Sequence, residues 1–189
     1  MRTAYGLLGI MTVIVLGVAL FLASGTAEEE SITESNDEYS MATLKLTSPA
    51  FAEGGTIPAL YTCDGENIHP PLEISGVPDE AVALALIMDD PDAPDGTWDH
   101  WVRYNIPPDL TKIEERKEFS ADNGVGSLGK EAYQGPCPPE GEHRYSFRLY
   151  ALDRTIEIES EGVPTKAEVE EAMVGHILEK AELIGVYAR

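Results

Sequence analysis

Two segments of the chain carry the pattern of a β-strand, and they limit the fold more than any other feature. Residues 81–88 (AVALALIM) are a continuous apolar run of strand length, which is typical of a central strand. Residues 143–152 (HRYSFRLYAL) alternate strictly, so that every second side chain is apolar and falls on one face. The sequence therefore predicts a mostly β domain.

Shorter segments between Gly- and Pro-rich turns add to this pattern. Further strands or extended pieces are expected at residues 43–47, 57–61, 69–74, 101–106 and 155–158. Many short strands with turn signals between them are typical of a β-sandwich or a barrel.

The pattern changes towards the C-terminus. Thr165 and Glu168 have the spacing of a helix capping box. Apolar residues then recur at helical spacing, including Val169, Met173 and Ile184. We expect one helix over residues 166–184, packed on a sheet.

The N-terminal segment has a different character from the rest of the chain. Residues 5–22 (YGLLGIMTVIVLGVALFL) are almost wholly apolar; this is close to the lower limit of roughly 17–25 residues for a membrane-spanning helix. The small residues that follow this run are compatible with cleavage by a signal peptidase. We expect residues 1–27 to be a signal peptide or an N-terminal membrane anchor, residues 28–41 an acidic disordered linker, and residues 42–189 one domain outside the cytoplasm.

The charge balance excludes one class of partner. The formal net charge is -21, from 34 acidic and 13 basic residues. Because binding to nucleic-acid phosphates needs clustered Lys and Arg, no nucleic acid is expected as a partner. An acidic surface suits solubility, a basic partner or a high-salt habitat.

Cys63 and Cys137 are the two cysteines of the chain. Outside the cytoplasm a disulfide can persist, and one closing so long a loop would stabilise the fold by about 4 kcal/mol. The sequence leaves open a single bridge or two separate thiols, because it does not give the distance between the two Cα atoms.

Two Pro-rich segments, each with a histidine, adjoin the predicted strands. The first comprises residues 89–94 (DDPDAP) and 98–101 (WDHW), and the second comprises residues 135–145 (GPCPPEGEHRY). Proline fixes φ and so limits the freedom of these loops. His100 and His143 each begin a strand, and two strand starts can share one end of a sheet. The sequence predicts a small polar pocket at the rim of the β domain.

These residue types support several chemistries. A carboxylate beside an imidazole fixes its tautomer and favours the protonated ring, which can bind an anion. Two histidines with an aspartate also resemble a zinc or iron ligand set, although no H-x-x-x-H spacing occurs. Cys137 with His143 has the composition of a nucleophile and base, without a neighbour in sequence that would activate the thiol. The alternative is that these segments form no functional site, so that the aspartates lie in exposed turns and the histidines only support the fold.

Taken together, the motifs resemble the phosphatidylethanolamine-binding proteins, the family that includes Raf kinase inhibitor protein, and especially their bacterial and archaeal branch. The similarity rests on residues 89–94, 98–101, 135–145 and also 61–72 (YTCDGENIHPPL). It covers about residues 42–189.

The resemblance implies a two-sheet antiparallel β-sandwich with a C-terminal helix and a small anion pocket at one end. The pocket would take phosphorylated head groups or simple anions such as phosphate and acetate. By motif position, the ligand-binding residues would be Asp90, Asp92, His100, Gly135, Pro138, His143 and Tyr145. The family consists mainly of binders and regulators, so the resemblance implies no catalytic residue, metal or cofactor.

We therefore expect a non-enzymatic binding protein that captures a small anionic ligand or a phospholipid head group as a monomer and can serve as a regulator. The apolar N-terminal segment argues against a kinase-regulating role and would attach the domain to a membrane if it is not cleaved. One alternative is a protein-interaction inhibitor of an extracellular protease. Another is a metal-dependent or Cys-dependent hydrolase.

Overall fold

The computed structural model describes residues 43–189. The predicted signal peptide or anchor and the predicted acidic linker, residues 1–41, lie outside the described residues. Within the described range the elements are β1 (Lys45–Thr47), β2 (Gly55–Thr56), a 3-10 turn (Ala59–Tyr61), β3 (Leu72–Ser75), β4 (Ala83–Asp90), β5 (Trp98–Ile106), β6 (Lys112–Ile113), β7 (Asp122–Gly124), β8 (Glu142–Leu152), α1 (Lys166–Met173) and β9 (Ile177–Ala188).

The strands form two sheets. The smaller sheet has the order β1-β3-β6, and the larger has the order β2-β9-β8-β4-β5-β7. Pairing is antiparallel except between β2 and β9, where a short parallel contact joins Gly55 to Gly185. The predicted mostly β, two-sheet architecture is confirmed, with this parallel pair as an exception to the antiparallel rule.

Strand β4 is buried on both faces, which explains its continuous apolar sequence. Leu84, Leu86 and Met88 belong to the main hydrophobic core, which the two sheets share. Ala85 and Ile87 belong to a second core that α1 covers. The alternating pattern of β8 divides its side chains between the same two cores.

The predicted helix over residues 166–184 is wrong in its second half. The Thr165–Glu168 capping box is present, and α1 ends at Met173. Gly175 then takes a left-handed backbone conformation with φ +81°, which stops the helix. The residues that follow form β9, which pairs with β8 along the full length of β8. These long-range hydrogen bonds outweigh an apolar spacing that also suits a helix.

Two predicted short strands are also replaced. Residues 155–158 are not a strand, because the side-chain amide of Asn105 bonds both the N–H and the carbonyl of Ile156, at 2.9 Å each. Within residues 57–61, Pro58 starts a 3-10 turn instead of a strand, and the Tyr61 N–H donates to the Pro58 carbonyl at 2.9 Å. The other predicted extended segments overlap β1, β3 and β5.

None of the helices in residues 43–189 has the length and apolar character needed to cross a membrane.

Candidate functional site

The topology of the larger sheet brings three strand ends together. Strand β4 is antiparallel to both β5 and β8. The C-terminal end of β4 therefore lies beside the starts of the other two strands. Asp90 is the last residue of β4, His100 is the third of β5, and His143 is the second of β8. The sheet thus places one carboxylate and two imidazoles at the same edge.

Asp90 and His143 form a buried pair at this edge. Their side chains are joined by a 2.7 Å contact between Nδ1 of His143 and Oδ2 of Asp90, and the residues are 7% and 4% exposed. The other oxygen of Asp90 accepts a hydrogen bond from the backbone N–H of Asp92 at 2.8 Å. Since a carboxylate can only accept, Nδ1 of His143 carries a proton and the ring orientation is fixed.

His100 is held in the same way by a different acceptor. Its Nδ1 lies 2.7 Å from the carbonyl oxygen of Gln134, so this nitrogen also carries the proton. The ring is 5% exposed and packs edge-on against Tyr145, with the ring centroids 5.3 Å apart. Burial lowers the pKa of His100, although the carboxylates of Asp90 and Asp89 act in the opposite direction.

Both imidazoles keep their second nitrogen for another partner. Within residues 43–189, no hydrogen bond reaches Nε2 of His100 or Nε2 of His143. A neutral ring with its proton on Nδ1 presents Nε2 as an acceptor, whereas a protonated ring presents it as a donor. The two nitrogens are therefore available to a ligand that enters from the adjoining cavity.

A cavity of about 530 Å³ opens over these groups. Asp90, His100 and His143 are part of its polar lining. Much of the remaining wall is apolar, including Trp98 and Leu128, which are 37% and 54% exposed. The cavity volume lies in the range typical of small-molecule sites, and a mostly apolar wall with a few convergent polar groups is the usual composition of such sites.

The loop over residues 134–139 forms one side of the cavity, and it is where Gly135 and Pro138 lie. The Gly135 N–H donates to Oδ1 of Asn67 at 2.7 Å. A β-carbon on residue 135 would collide with the carbonyl oxygen of Tyr61 and with Asn67. Glycine is therefore required by the close approach of two backbone segments.

Two of the residues named from the sequence lie away from the cavity lining. The Asp92 carboxylate binds Arg144 instead, through the Arg144 backbone N–H at 2.9 Å, its Nε at 2.8 Å and its Nη2 at 2.6 Å. These bonds lower the pKa of Asp92 to about 2. The Asp92 carboxylate therefore holds Arg144, and within the described chain it makes no hydrogen bond to an imidazole.

Tyr145 is the other residue, and it lies one step deeper than His143 on the same face of β8. It is fully buried in the main core beside His100. Its hydroxyl has no hydrogen bond of ordinary geometry within the described chain. Burial, together with the nearby Asp90 carboxylate, raises the pKa of this hydroxyl. Tyr145 supports the site from below and does not line the cavity.

The sequence did not identify several of the residues that line the cavity. Some lie inside the quoted motifs, and Leu128 lies in a loop without any local signal. The additional lining residues are Asn67, Ala93, Pro94, Asp95, Trp98, Leu128, Gln134 and Pro139. Asn67 has a left-handed backbone conformation with φ +55°, which among non-glycine residues is most common for Asn and Asp.

The structure joins Cys63 and Cys137 in a disulfide, with their Cα atoms 5.4 Å apart. Both cysteines line the cavity. While the bond is intact, Cys137 has no thiolate to act as a nucleophile beside His143. In residues 43–189, no group of three or more His, Cys, Asp and Glu side chains is placed to hold a metal ion. The geometry thus gives no support to either hydrolase interpretation.

Comparison with known proteins identifies relatives over the same region. The family model described as phosphatidylethanolamine-binding protein matches residues 47–188. A UPF0098 protein of Methanothermobacter thermautotrophicus is 52% identical over 152 residues, which is 77% of this chain and 99% of the relative. A UPF0098 protein of Chlamydia pneumoniae is 47% identical over 151 residues, again 77% of this chain and 99% of the relative.

Solved structures agree with these sequence matches. A putative phosphatidylethanolamine-binding protein homologue from Chlamydia trachomatis, CT736, is 43% identical, with a TM-score of 0.75 over 78% of this chain and 99% of that one. YbcL of E. coli, described as a member of the mammalian family, is 29% identical, with a TM-score of 0.71 and the same coverage. Sequence, fold and topology agree, and the chain belongs to the phosphatidylethanolamine-binding protein family.

Proposed function

We propose that the domain is a non-enzymatic binding protein whose cavity takes a small ligand through an anionic group, such as the phosphate of a head group or a carboxylate. The observation that carries the proposal is the arrangement of His100 and His143. Each ring is fixed by its Nδ1, and each Nε2 has no bonding partner in the described chain. Two such nitrogens beside one cavity suit the oxygens of a single anion.

The protonation of the two rings follows from the chemistry of the ligand. An ionised oxygen of the ligand, such as that of a carboxylate, only accepts hydrogen bonds, so an Nε2 that binds it must carry a proton. Within residues 43–189, no Lys or Arg lines the cavity. The positive charge must therefore come from imidazolium rings, with Asp90 stabilising that of His143. Because burial lowers the pKa of His100, the protein should take up a proton on binding, and affinity should rise as pH falls.

The rest of the cavity limits the class of ligand. Its volume of about 530 Å³ leaves space beyond the anionic group. Asp95 lies at the cavity and is exposed, so it can meet a cationic group such as an ammonium. Trp98 and Leu128 offer apolar contact at the same cavity. A head group with a phosphate and an amine, attached to a less polar portion, would use all three features.

We also propose that the domain functions outside the cytoplasm as a monomer, after cleavage of residues 1–27 or attached to the membrane by them. The apolar run at residues 5–22 supports this location. The Cys63–Cys137 disulfide also supports it, since such bonds persist mainly in oxidising compartments. Protease protection of the full-length protein in sealed membrane vesicles, with and without detergent, would test the location.

Calorimetric titration with phosphate, phosphoethanolamine and acetate tests the binding function. We expect His143→Ala to weaken binding by about tenfold or more, because a hydrogen bond to a charged group contributes about 1.5–3 kcal/mol. His176→Ala is the matched control, since His176 is a partly exposed histidine paired with Asp153, outside the residues that line the cavity. Equal affinities of the two variants and the unmodified protein would contradict the proposal.

A further inference from the structure

A disulfide forms part of the wall of the candidate ligand cavity. Cys63 and Cys137 both line it, and both residues are exposed to solvent. Their bond connects two segments that are 74 residues apart in sequence. These are residues 61–67, which we call the first loop, and residues 133–139, which we call the second loop. Since both cysteines are exposed, a soluble reductant can approach this part of the cavity wall.

The position of the second loop determines the orientation of His100. The Gln134 carbonyl in this loop accepts the Nδ1 proton of His100 at 2.7 Å. The second loop is held against the first by the disulfide and by three hydrogen bonds. These bonds are Cys63 N–H to the Pro136 carbonyl at 3.0 Å, Gly135 N–H to Asn67 Oδ1 at 2.7 Å, and Tyr133 hydroxyl to the Tyr61 carbonyl at 2.8 Å. Breaking the disulfide removes the covalent link between the loops and leaves these weaker bonds, while the Gln134 N–H stays bonded to the His100 carbonyl at 3.0 Å.

A cation lies beside one of the two sulfurs. Nη1 of Arg189 is 3.4 Å from Sγ of Cys137. Asp64, next to Cys63, holds the same guanidinium through a 3.2 Å ion pair with Nε, and also accepts a 2.8 Å hydrogen bond from the Tyr187 hydroxyl. Arg189 is thus positioned to stabilise negative charge on Cys137 more than on Cys63. In thiol–disulfide exchange the sulfur that leaves as the more stable thiolate leaves faster.

We propose that the Cys63–Cys137 bond is a reversible modification site that controls ligand binding, and this inference rests on the proposed function of the cavity. A thiolate of a dithiol reductant attacks Sγ of Cys63, and the electron pair of the broken S–S bond leaves on Sγ of Cys137 beside Arg189. The second thiolate of the reductant then attacks its own sulfur in the mixed disulfide and releases Cys63. The reductant ends as a disulfide, and its two thiol protons pass to the two cysteines.

Reduction loosens the second loop, so that the Gln134 carbonyl holds the His100 ring less firmly for the ligand. Because three hydrogen bonds between the loops persist, we expect a coupling near the lower end of the usual range, about fivefold in affinity. Linkage is reciprocal, so a saturating anion should shift the thiol–disulfide equilibrium about fivefold towards the oxidised form. The oxidised and reduced proteins therefore differ in affinity without any change in the residues that contact the ligand.

The test uses the full-length protein in a non-ionic detergent, with inorganic phosphate as the probe. Phosphate affinity is measured by calorimetry for the oxidised protein, for the protein reduced with dithiothreitol, and for the C63S/C137S double variant, with circular dichroism to check the fold. We expect the dissociation constant for phosphate to rise about fivefold in the reduced protein and in the double variant, because neither has the disulfide. Dithiothreitol should have no effect on the double variant. Equal phosphate affinity of the oxidised and reduced proteins would overturn the inference.

Failure of the binding function gives a different result from failure of the coupling. If the oxidised protein does not bind phosphate, the proposed function and the coupling are both overturned. If it binds phosphate equally well in all three forms, only the coupling is overturned. Hydrogen exchange tests the loosening of the second loop in the absence of phosphate, since reduction should speed amide exchange in residues 134–139. Unchanged exchange in those residues would overturn the loosening of the loop.

The role of Arg189 is tested by the rate of reduction. We expect Arg189→Gln to slow reduction by dithiothreitol about threefold, because a less stable Cys137 thiolate is a poorer leaving group. Arg154→Gln is the matched control, since Arg154 pairs with Asp153 and neither residue lines the cavity. Reduction of Arg189→Gln at the rate of the control would overturn the assignment of Cys137 as the leaving sulfur.

Discussion

Asp90 accepts a hydrogen bond at each of its carboxylate oxygens, and this gives it a different role from other acidic groups at the cavity. One oxygen holds Nδ1 of His143, and the other holds the backbone N–H of Asp92. Asp95 also lines the cavity but is exposed, and no hydrogen bond within the described chain involves its side chain. Asp90 therefore positions the His143 imidazole, whereas Asp95 contributes negative charge alone.

The two aspartates should respond in opposite ways to the same substitution. We expect Asp90→Asn to weaken phosphate binding about tenfold, because it removes the charge that stabilises the His143 imidazolium. We expect Asp95→Asn to strengthen phosphate binding by about twofold, because it removes a screened repulsion. Calorimetric titration of both variants checks the pair. If both substitutions strengthened binding, Asp90 would act through its charge on the anion and not through His143.

At the residue scale, the sequence identified the groups that strand geometry alone can place. His100, His143 and Asp90 adjoin strand ends, so antiparallel pairing brings them together. Asp92 and Tyr145 lie within two residues of these groups, yet neither lines the cavity. Which way a side chain points depends on partners such as Arg144, and the position of a residue in a motif does not reveal them.

The second loop connects residue chemistry to element packing, and Gly135 is its most constrained position. The segment fits against Tyr61 and Asn67 only because residue 135 has no side chain. The same fit places the Gln134 carbonyl on His100. Packing of the two loops and orientation of the imidazole are therefore determined together.

Gly135→Ala should reduce both stability and binding. We expect a loss of about 1–3 kcal/mol in the free energy of unfolding, because the added methyl group overlaps backbone atoms that cannot move freely. Gly162→Ala is the matched control, since a β-carbon there meets no atom within 4 Å. Denaturant unfolding of both variants measures the difference. Equal stability of the two variants would show that the loops tolerate a side chain at residue 135.

At the element scale, the long strands were predictable and the C-terminal strand was not. The patterns of β4 and β8 follow directly from burial on two faces and from alternation. Residues 177–184 carry an apolar spacing that fits a helix, and only the pairing of β9 with β8 decides the outcome. Residues 155–158 illustrate the same limit, because the side chain of Asn105 satisfies the backbone of Ile156 there. Contacts between distant residues determine both segments.

At the scale of the whole molecule, the acidic charge and the proposed anion site place opposite demands on the protein. A net charge of -21 repels anions at long range, although salt screens this repulsion beyond about 10 Å. The cavity has two buried imidazoles, and no Lys or Arg of the described chain lines it. Such a site gains its positive charge only when protons are taken up, so binding is linked to pH.

The overall architecture and the grouping of the motifs were accessible from the sequence, whereas the cavity was not. Its volume and its contacts with Leu128 and Asn67 depend on how three separate loops meet. The two cysteines also remained ambiguous in the sequence, because a bridge requires their Cα atoms to be close. The fold brings them to 5.4 Å. Both features arise from the assembled domain and not from any one segment.

The most direct measurement is ¹⁵N NMR of the histidine side chains while acetate is added at constant pH near neutrality. The account predicts that the Nε2 signals of His100 and His143 move towards the protonated value, while those of His69 and His176 stay in place. The reason is that His69 and His176 are not among the residues that line the cavity. Unchanged signals of His100 and His143 at saturating acetate, or equal movement of all four histidines, would contradict the central claim that these two imidazoles bind the anion.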